Sequence, residues 1–170
     1  MVLALPRGGV PVGYEIARAL DGSLGVFIVR KIGVPGHREV AMGALASGGI
    51  QVLDGDLIRR LRIPPHAVDA VIAEETRELA RREERYGAGH APPVLRGRTV
   101  ILVDDGLATG LTMRAAVQSA RKQQPGRIVV AVPVGARDAV TMLETEADEV
   151  VCLSMPEPFV AVGLWSWFLR

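Results

Sequence analysis

Short apolar runs alternate with segments of helical periodicity along most of this chain, and that alternation limits the folds open to it. Each run has the length of a β-strand, and most of its residues are apolar in succession and not only at every second position. The predicted strands are Val2 to Leu5, Val26 to Val29, Ile50 to Leu53, Thr99 to Val103, Ile128 to Val134 and Glu149 to Leu153. Continuously apolar strands separated by helices are typical of a parallel sheet covered on both faces. We therefore predict an α/β fold with a doubly wound, mostly parallel sheet flanked by helices.

Apolar residues at helical spacing predict the helices between these strands. The predicted helices cover Val12 to Leu20, Asp54 to Leu61, Asp69 to Tyr86, Met113 to Ala120 and Ala139 to Glu144. The charged segment Glu74 to Tyr86 is predicted to present a charged face to solvent, with apolar residues such as Leu79 turned inward. The segment Val34 to Gly49 is rich in glycine and polar residues, which predicts an irregular loop or a weak hairpin.

Size, charge and cysteine content limit the classes of function that this chain can have. The length favours one domain, so residues 1–170 are predicted to form a single unit. Twenty basic residues against 19 acidic ones give a net charge of +1, which gives no support for nucleic acid as a partner. No apolar segment reaches about 18 residues and the N-terminus lacks a signal-peptide pattern, so no membrane partner is expected. Cys152 is the only cysteine, so a reducing, cytoplasmic location and a packing role for this thiol are expected.

The segment VILVDDGLATGLTMRAA, Val100 to Ala116, places the carboxylates of Asp104 and Asp105 directly after an apolar strand. A buried pair of like charges raises at least one pKa unless a partner neutralises it, so the pair indicates a ligand. Carboxylates accept hydrogen bonds from sugar hydroxyls, directly or through a divalent ion. The alternative is that both aspartates only cap the following helix.

Small residues follow the two aspartates and let the backbone approach an anion closely at the start of a helix. The unsatisfied N–H groups and partial positive charge of a helix N-terminus bind phosphate. The predicted phosphate-binding residues are Gly106, Leu107, Ala108, Thr109, Gly110 and Thr112. A carboxylate pair beside a phosphate site predicts a phosphorylated sugar as the ligand.

A second glycine-rich loop, LPRGGV, follows the first predicted strand. Gly8 and Gly9 expose backbone donors, and Arg7 adds a side chain that binds anions through two donors. Ligands of parallel sheets bind where strand ends lead into helix N-termini, so we expect both loops at one edge of the sheet. The alternative is a simple strand-to-helix turn in which Arg7 is solvated.

The sequence VILVDDGLATGLTM closely resembles the 5-phosphoribosyl pyrophosphate binding motif of type I phosphoribosyltransferases. The segments LPRGGVPVGYEIA, VRKIGVPGHREVAMGAL and AVGLW are similar to a bacterial group of stand-alone phosphoribosyltransferase-domain proteins. The resemblance covers most of the chain, so it implies one phosphoribosyltransferase domain over residues 1–170. It also implies the α/β fold of that family, with a small hood and flap region.

The resemblance assigns roles to the residues of both loops. Asp104 and Asp105 would hold the ribose hydroxyls and stabilise an oxocarbenium-like transition state, and the loop from Gly106 to Thr112 would hold the 5-phosphate. Pro6, Arg7, Gly8 and Gly9 match the family's pyrophosphate loop. In many relatives that loop contains a non-proline cis peptide, which is expected here between Pro6 and Arg7.

The resemblance also assigns roles to the region after the second predicted strand. Arg30 and Lys31 end that strand and match a basic pair that relatives place near the pyrophosphate. The segment from about residue 31 to 49, with His37, Arg38 and Glu39, occupies the position of the family's mobile flap. Closure of such a flap excludes water from the activated sugar.

The implied reaction is displacement of pyrophosphate from 5-phosphoribosyl pyrophosphate by a nitrogen nucleophile, usually a nucleobase, in nucleotide metabolism. Magnesium is the implied cofactor, and it prefers substrate phosphates, so no dedicated protein ligand set is expected beyond a contribution from Asp104 or Asp105. Relatives specific for hypoxanthine and guanine carry an Asp where Ala108 stands, which argues against those bases. The acceptor base stays unassigned.

The chain departs from the family at both ends. Relatives have an upstream helical segment that covers the sheet, so either the chain is shortened or a second subunit of a homodimer supplies that cover. At the C-terminus, Trp165, Trp167 and Phe168 either stack on a base or serve as packing residues.

Other classes of protein fit less well. A regulatory protein could retain the binding site for 5-phosphoribosyl pyrophosphate without transferring the sugar. A dinucleotide-dependent oxidoreductase is disfavoured because Gly8, Gly9 and Gly13 lack the G-x-G-x-x-G spacing and Arg30 and Lys31 replace the expected acidic residue. A P-loop hydrolase is disfavoured because its G-x-x-x-x-G-K-[ST] motif is absent.

Overall fold

The computed structural model describes residues 1–87 and 93–164. Its strands are β1 (Val2–Ala4), β2 (Leu24–Val26), β3 (Val29–Val34), β4 (His37–Ala46), β5 (Ile50–Leu53), β6 (Thr99–Val103), β7 (Arg127–Val134) and β8 (Glu149–Ser154). Its α-helices are α1 (Gly9–Ala19), α2 (Gly55–Arg60), α3 (Pro65–Gly87), α4 (Leu111–Lys122) and α5 (Arg137–Glu144). A 3-10 turn covers Val162–Leu164.

Five strands form a parallel sheet in the order β2-β1-β6-β7-β8, which we call the main sheet. Buried residues of α4 and α5, among them Val117 and Leu143, pack with Leu102 and Val130 on one face. On the other face, α1 packs against β1 and β6. The predicted α/β fold with a doubly wound parallel sheet is therefore confirmed.

We predicted one strand over the apolar run Val26 to Val29, but the structure divides this run between two sheets. Val26 ends β2, and Phe27 still donates its backbone N–H to the carbonyl of Ala4 at 2.9 Å. Phe27 packs in the core of the main sheet, whereas Ile28 belongs to a separate apolar cluster. One continuous apolar run therefore supplies two cores, and its hydrophobicity alone does not show where one strand ends and the next begins.

The prediction of an irregular loop or a weak hairpin for Val34 to Gly49 understates the order of this segment. Strands β3, β4 and β5 form an antiparallel sheet, which we call the second sheet. A Cβ at Gly43 would lie 2.4 Å from the carbonyl oxygen of Val52, so this glycine permits close strand pairing. A Cβ at Gly33 would lie 2.8 Å from Cα of Arg38. These two glycines serve packing within the second sheet and do not mark a loop.

Helix α3 covers the second sheet. Its residues Val68 and Leu79 are buried with Ile32 and Met42 of β3 and β4. The charged segment from Glu74 onward is not solvated throughout, because the side chains of Glu75 and Glu78 are only 13% and 24% exposed. Helix α4 contacts both sheets, so the second sheet lies between α4 and α3.

Cys152 lies in β8, where its thiol is partly buried and donates to the carbonyl of Ser154 at 3.2 Å. Burial raises the pKa of this thiol, so the nucleophilic thiolate is disfavoured. A packing role therefore fits this cysteine. None of the helices within residues 1–87 and 93–164 combines the length and apolarity needed to cross a membrane.

Candidate functional site

The two glycine-rich loops meet at the carboxyl edge of the main sheet. Strands β1 and β6 are neighbours, with Ala4 paired to Val103, so the loops that follow them start side by side. The backbone N–H of Leu5 donates to the carbonyl of Val103 at 2.8 Å and continues the pairing beyond β1. The expectation that both loops share one edge is confirmed.

Gly8 and Gly9 allow direct contact between the loops. A Cβ built on Gly8 would lie 2.2 Å from Cγ of Asp105, and one built on Gly9 would lie 2.4 Å from the carbonyl oxygen of Val103. A side chain at Gly8 would require the Asp105 side chain to move, and one at Gly9 would require the backbone at Val103 to move. Gly8 is the N-cap of α1, so the start of this helix lies against the Asp105 carboxylate.

The peptide bond between Pro6 and Arg7 is cis, as the family resemblance predicts. Arg7 is the one charged residue of the first loop, and its side chain is open to solvent.

Asp104 and Asp105 form the electrostatic centre of the site. Both side chains are partly buried, and Oδ1 of Asp104 accepts a hydrogen bond from the backbone N–H of Asp105 at 2.9 Å. Burial, with a further contribution from the neighbouring Asp105 charge, raises the pKa of Asp104 to about 7, against the lowering effect of that hydrogen bond. A cation or a developing positive charge beside this pair is therefore favoured.

The loop after the aspartates is anchored to β7 through Leu107. The side chain of Leu107 is buried in the core of the main sheet. Its backbone N–H donates to the carbonyl of Val134 at 2.9 Å, and its carbonyl accepts from the backbone N–H of Ala136 at 2.8 Å. Leu107 thus holds the loop in place with both backbone groups, while Ala108 and Thr109 are exposed. Of the predicted phosphate-binding residues, these two lie open to a ligand and Leu107 lies beneath them.

Gly110 ends the loop in the left-handed region, with φ of 72°, and is the N-cap of α4. This conformation favours glycine, and a Cβ here would lie 2.8 Å from Cε of Met142. Gly110 has no side chain to cap the helix, and the backbone N–H of Leu111, the first residue of α4, donates to Oγ1 of Thr109 at 3.5 Å. Gly106 is packed differently, since a Cβ there would lie 2.7 Å from Cγ1 of Val162 in the 3-10 turn.

Arg30 and Lys31 lie elsewhere than predicted. They do not end a strand of the main sheet but lie in β3 of the second sheet. They nevertheless line one cleft of about 510 Å³ together with Pro6 of the first loop and Thr112 of α4. The basic pair, the first loop and the start of α4 are therefore brought together by contact between the two sheets.

The flap predicted over residues 31–49 is a strand hairpin in this structure. Arg38 lies in β4 and its Nη2 is 3.0 Å from Oε1 of Glu74 on α3, with both side chains largely exposed. His37 begins β4. The mobility of this hairpin stays a prediction, and the side chain of Glu39 lies outside the described part of the structure.

Glu75 of α3 is a site residue that sequence reasoning missed. Its carboxylate binds Arg30 and lines the cleft. A signal was present, because Glu75 follows Val71 by four residues and precedes Leu79 by four, which places it on the buried stripe of the helix. A charged residue on an apolar stripe is a candidate for a specific partner.

Within residues 1–87 and 93–164, no three His, Cys, Asp or Glu side chains come together as a potential metal site. Asp104 and Asp105 offer hard carboxylate oxygens of the kind that Mg²⁺ accepts. Trp165, Trp167 and Phe168, for which base stacking and packing are the alternatives, lie outside the described residues.

Comparisons with known proteins find similarity both in sequence and in structure. A family model described as "Phosphoribosyl transferase domain" matches residues 1–166. Two Mycobacterium tuberculosis proteins, from strains CDC 1551 and H37Rv and each named "Putative phosphoribosyl transferase", are 47% identical over 163 residues. The match covers 96% of this chain but 37% of each relative, so the chain spans little more than a third of their length. The protein TT1426 from Thermus thermophilus, known from a crystal structure, is 44% identical, with a TM-score of 0.88, over 96% of this chain and 77% of that one.

Proposed function

Because this chain belongs to the phosphoribosyltransferase family, we propose that it binds 5-phosphoribosyl pyrophosphate and transfers the phosphoribosyl group to a nitrogen nucleophile. The acceptor class that we propose is a nucleobase. The observation that carries the proposal is the contact of Gly8 with Asp105, since it places the acidic pair between two loops suited to bind anions. A sugar with phosphate groups on opposite sides fits such an arrangement.

The proposed reaction breaks the bond between the anomeric carbon and the pyrophosphate oxygen and forms a bond from that carbon to nitrogen. The electron pair of the broken bond leaves with pyrophosphate, the attacking nitrogen gives up its proton to solvent, and the ribose ring carries positive charge in the transition state. Carboxylates fixed beside the ring stabilise that charge, which is the role proposed for Asp104 and Asp105. Thr109, Thr112 and the N-terminus of α4 would hold the 5-phosphate.

We propose Mg²⁺ as the cofactor. When bound, it would neutralise pyrophosphate charge, and Asp104 or Asp105 would provide its protein oxygens. Arg7, Arg30 and Lys31 would supply the remaining positive charge toward the pyrophosphate. Charge neutralisation by these groups makes pyrophosphate a better leaving group.

The binding part of the proposal is tested by calorimetric titration with 5-phosphoribosyl pyrophosphate and Mg²⁺. We expect Mg²⁺-dependent binding by the wild type and loss of binding on the double substitution Asp104→Asn with Asp105→Asn. The control of equal charge is Asp56→Asn with Asp69→Asn, since both aspartates are exposed. A folded wild type that does not bind, or a site variant that binds as well as the control, would overturn the proposal.

The catalytic part is tested by pyrophosphate release with a panel of nucleobases. Release with one base, abolished in the site variant, would support transfer. On the family pattern, Ala108 makes hypoxanthine and guanine poor acceptors. Tight binding without release for any base would favour a regulatory protein that senses 5-phosphoribosyl pyrophosphate.

A further inference from the structure

Arg30 is held at the cleft by a carboxylate of α3, 45 residues further along the chain. Its Nε and Nη2 lie 2.8 and 2.6 Å from the same oxygen, Oε2 of Glu75. The two side chains are 24% and 13% exposed, whereas those of the neighbouring pair Arg38 and Glu74 are 80% and 52% exposed. A shielded pair is screened less by solvent and salt, so it holds one geometry more firmly than a surface pair.

The contact with Glu75 uses only part of the Arg30 guanidinium. That group is planar and carries five N–H donors, so binding through Nε and Nη2 leaves the Nη1 donors and one Nη2 donor for another acceptor. Arg30 lines the same cleft as Lys31, Pro6 and Thr112. Arg30 therefore retains donors for an anion in the cleft that it lines between the first loop and the start of α4.

We propose that Glu75 is a positioning residue that fixes the Arg30 guanidinium for the pyrophosphate group of the substrate. This inference rests on the proposed function. An arginine on a strand of the second sheet can adopt many side-chain orientations, and most of them do not suit an anion in the cleft. Glu75 selects one orientation before the substrate binds, which lowers the entropy lost on binding.

The sign of the effect separates positioning from simple electrostatics. Glu75 is an anion near a site for an anion, so by charge alone its removal would strengthen binding of pyrophosphate. If Glu75 positions Arg30, its neutralisation weakens binding instead. A role limited to stability of the fold predicts no change in affinity once the protein is folded.

The test is calorimetric titration of the folded protein with inorganic pyrophosphate and with 5-phosphoribosyl pyrophosphate, both in the presence of Mg²⁺. We expect Glu75→Gln to weaken binding of both by about tenfold, the loss of roughly one hydrogen bond to a charged group. The matched control is Glu149→Gln, because Glu149 forms an ion pair of equal length, 2.6 Å, with Arg127 at the opposite edge of the main sheet.

A double-mutant cycle shows whether Glu75 acts through Arg30. In an Arg30→Ala background, Glu75→Gln should cause no further loss of affinity. Arg30→Lys keeps the charge but loses the Nε contact, so we expect it to bind pyrophosphate as weakly as Glu75→Gln does. This second variant tests the inference if Glu75→Gln fails to fold.

The outcomes distinguish the two proposals. Unchanged or tighter binding by folded Glu75→Gln or by Arg30→Lys, with a wild type that binds, overturns the role of Glu75 and leaves the proposed function standing. If Glu75→Gln weakens binding as much in the Arg30→Ala background as in the wild type, the role of Glu75 is also overturned, because Glu75 would then act without Arg30. A folded wild type that binds neither pyrophosphate nor 5-phosphoribosyl pyrophosphate overturns both proposals.

Discussion

Gly8 keeps the two loops of the site in contact because it has no side chain. Its φ of −62° suits any residue, so the need for glycine comes from space and not from backbone conformation. We expect Gly8→Ala to displace the Asp105 carboxylate, whose Cγ would lie 2.2 Å from the new Cβ. The aspartate side chain can rotate away, so stability should change by less than about 1 kcal/mol. Affinity for 5-phosphoribosyl pyrophosphate, measured by calorimetry, should fall at least about tenfold.

Two other glycines serve as comparisons for Gly8→Ala, Gly9 in the same loop and Gly22 beyond the C-terminal end of α1. Gly9→Ala meets the backbone carbonyl of Val103, which cannot rotate away, so we expect unfolding free energy to fall by about 1 to 3 kcal/mol. Gly22→Ala meets its nearest atom, the carbonyl oxygen of Ala17, at 3.9 Å and should be neutral for both stability and binding. Unchanged affinity in Gly8→Ala would show that the position of Asp105 does not matter for the ligand.

The raised pKa of Asp104 predicts how stability changes with pH. The carboxyl titrates at 3.8 in a model peptide and at about 7 in the fold, so the folded state holds the proton more tightly. The free energy of unfolding should therefore fall as pH rises from 4 to 7 and level off above 7. Each pKa unit corresponds to about 1.4 kcal/mol, and solvent around this partly exposed group reduces the effect to on the order of 2 kcal/mol. Asp104→Asn should remove this loss of stability at high pH. Urea unfolding at pH 5 and pH 8 should therefore give a smaller difference in unfolding free energy for the variant than for the wild type.

The exposed residue Asp69 provides the control for this pH dependence. Asp69→Asn should leave the difference in stability between pH 5 and pH 8 as it is in the wild type. An Asp104→Asn protein less stable than the wild type at pH 8 would contradict the prediction, since the unligated carboxylate would then be stabilising.

At the scale of elements, α3 contributes to stability through the second sheet. Leu79 is 3% exposed and packs in the cluster with Ile32 and Met42. We expect Leu79→Ala to lower the unfolding free energy by about 2 to 5 kcal/mol, because it removes buried methyl groups and leaves a cavity. Leu153→Ala is the matched control, since Leu153 is 80% exposed. Equal unfolding free energies for the two variants would show that α3 is not part of the cooperative core.

Strands β1, β6, β7 and β8 of the main sheet could be predicted from the sequence because each is an apolar run next to a helix, whereas β2 (Leu24–Val26) was predicted over Val26 to Val29. The run Thr99 to Val103 shows this, since it is buried by α4 on one face and α1 on the other. The second sheet could not be predicted in the same way. Its glycines permit close strand pairing, so a composition typical of loops conceals ordered strands.

The acidic pair and the glycines around it could also be predicted, since they are consecutive in the sequence. Arg30 was identified as a candidate, but its place in a second sheet depends on where the run Val26 to Val29 divides between two cores. Glu75 was missed because its partner lies 45 residues away and no local pattern pairs them. Contacts between distant elements are the part of the site that periodicity and composition do not specify.

For the molecule as a whole, the main sheet and the second sheet pack mainly in separate apolar clusters, which predicts two levels of protection against hydrogen exchange. The N–H groups of β6 lie between β1 and β7, whereas those of β4 lie in the smaller second sheet. We expect Leu102 to exchange only on global unfolding, and Leu45 to exchange through a local opening of lower free energy. Native-state exchange over a range of urea concentrations would measure both. If the openings that expose Leu102 and Leu45 had equal free energies and equal urea dependence, the two sheets would open as one unit.

The pairing of β1 with β6 also governs when the molecule can fold during its synthesis. Val2 pairs with Ile101, so β1 lies inside the main sheet, between β2 and a strand made about 100 residues later. At roughly 5 to 20 residues per second, a ribosome needs about 5 to 20 s to supply that strand. The second sheet and α3 are complete before β6 emerges, so they can form first, while β1 has only β2 as a neighbour. A nascent chain that stalls before Thr99 therefore carries an exposed apolar strand edge, which is a site for chaperone binding or aggregation.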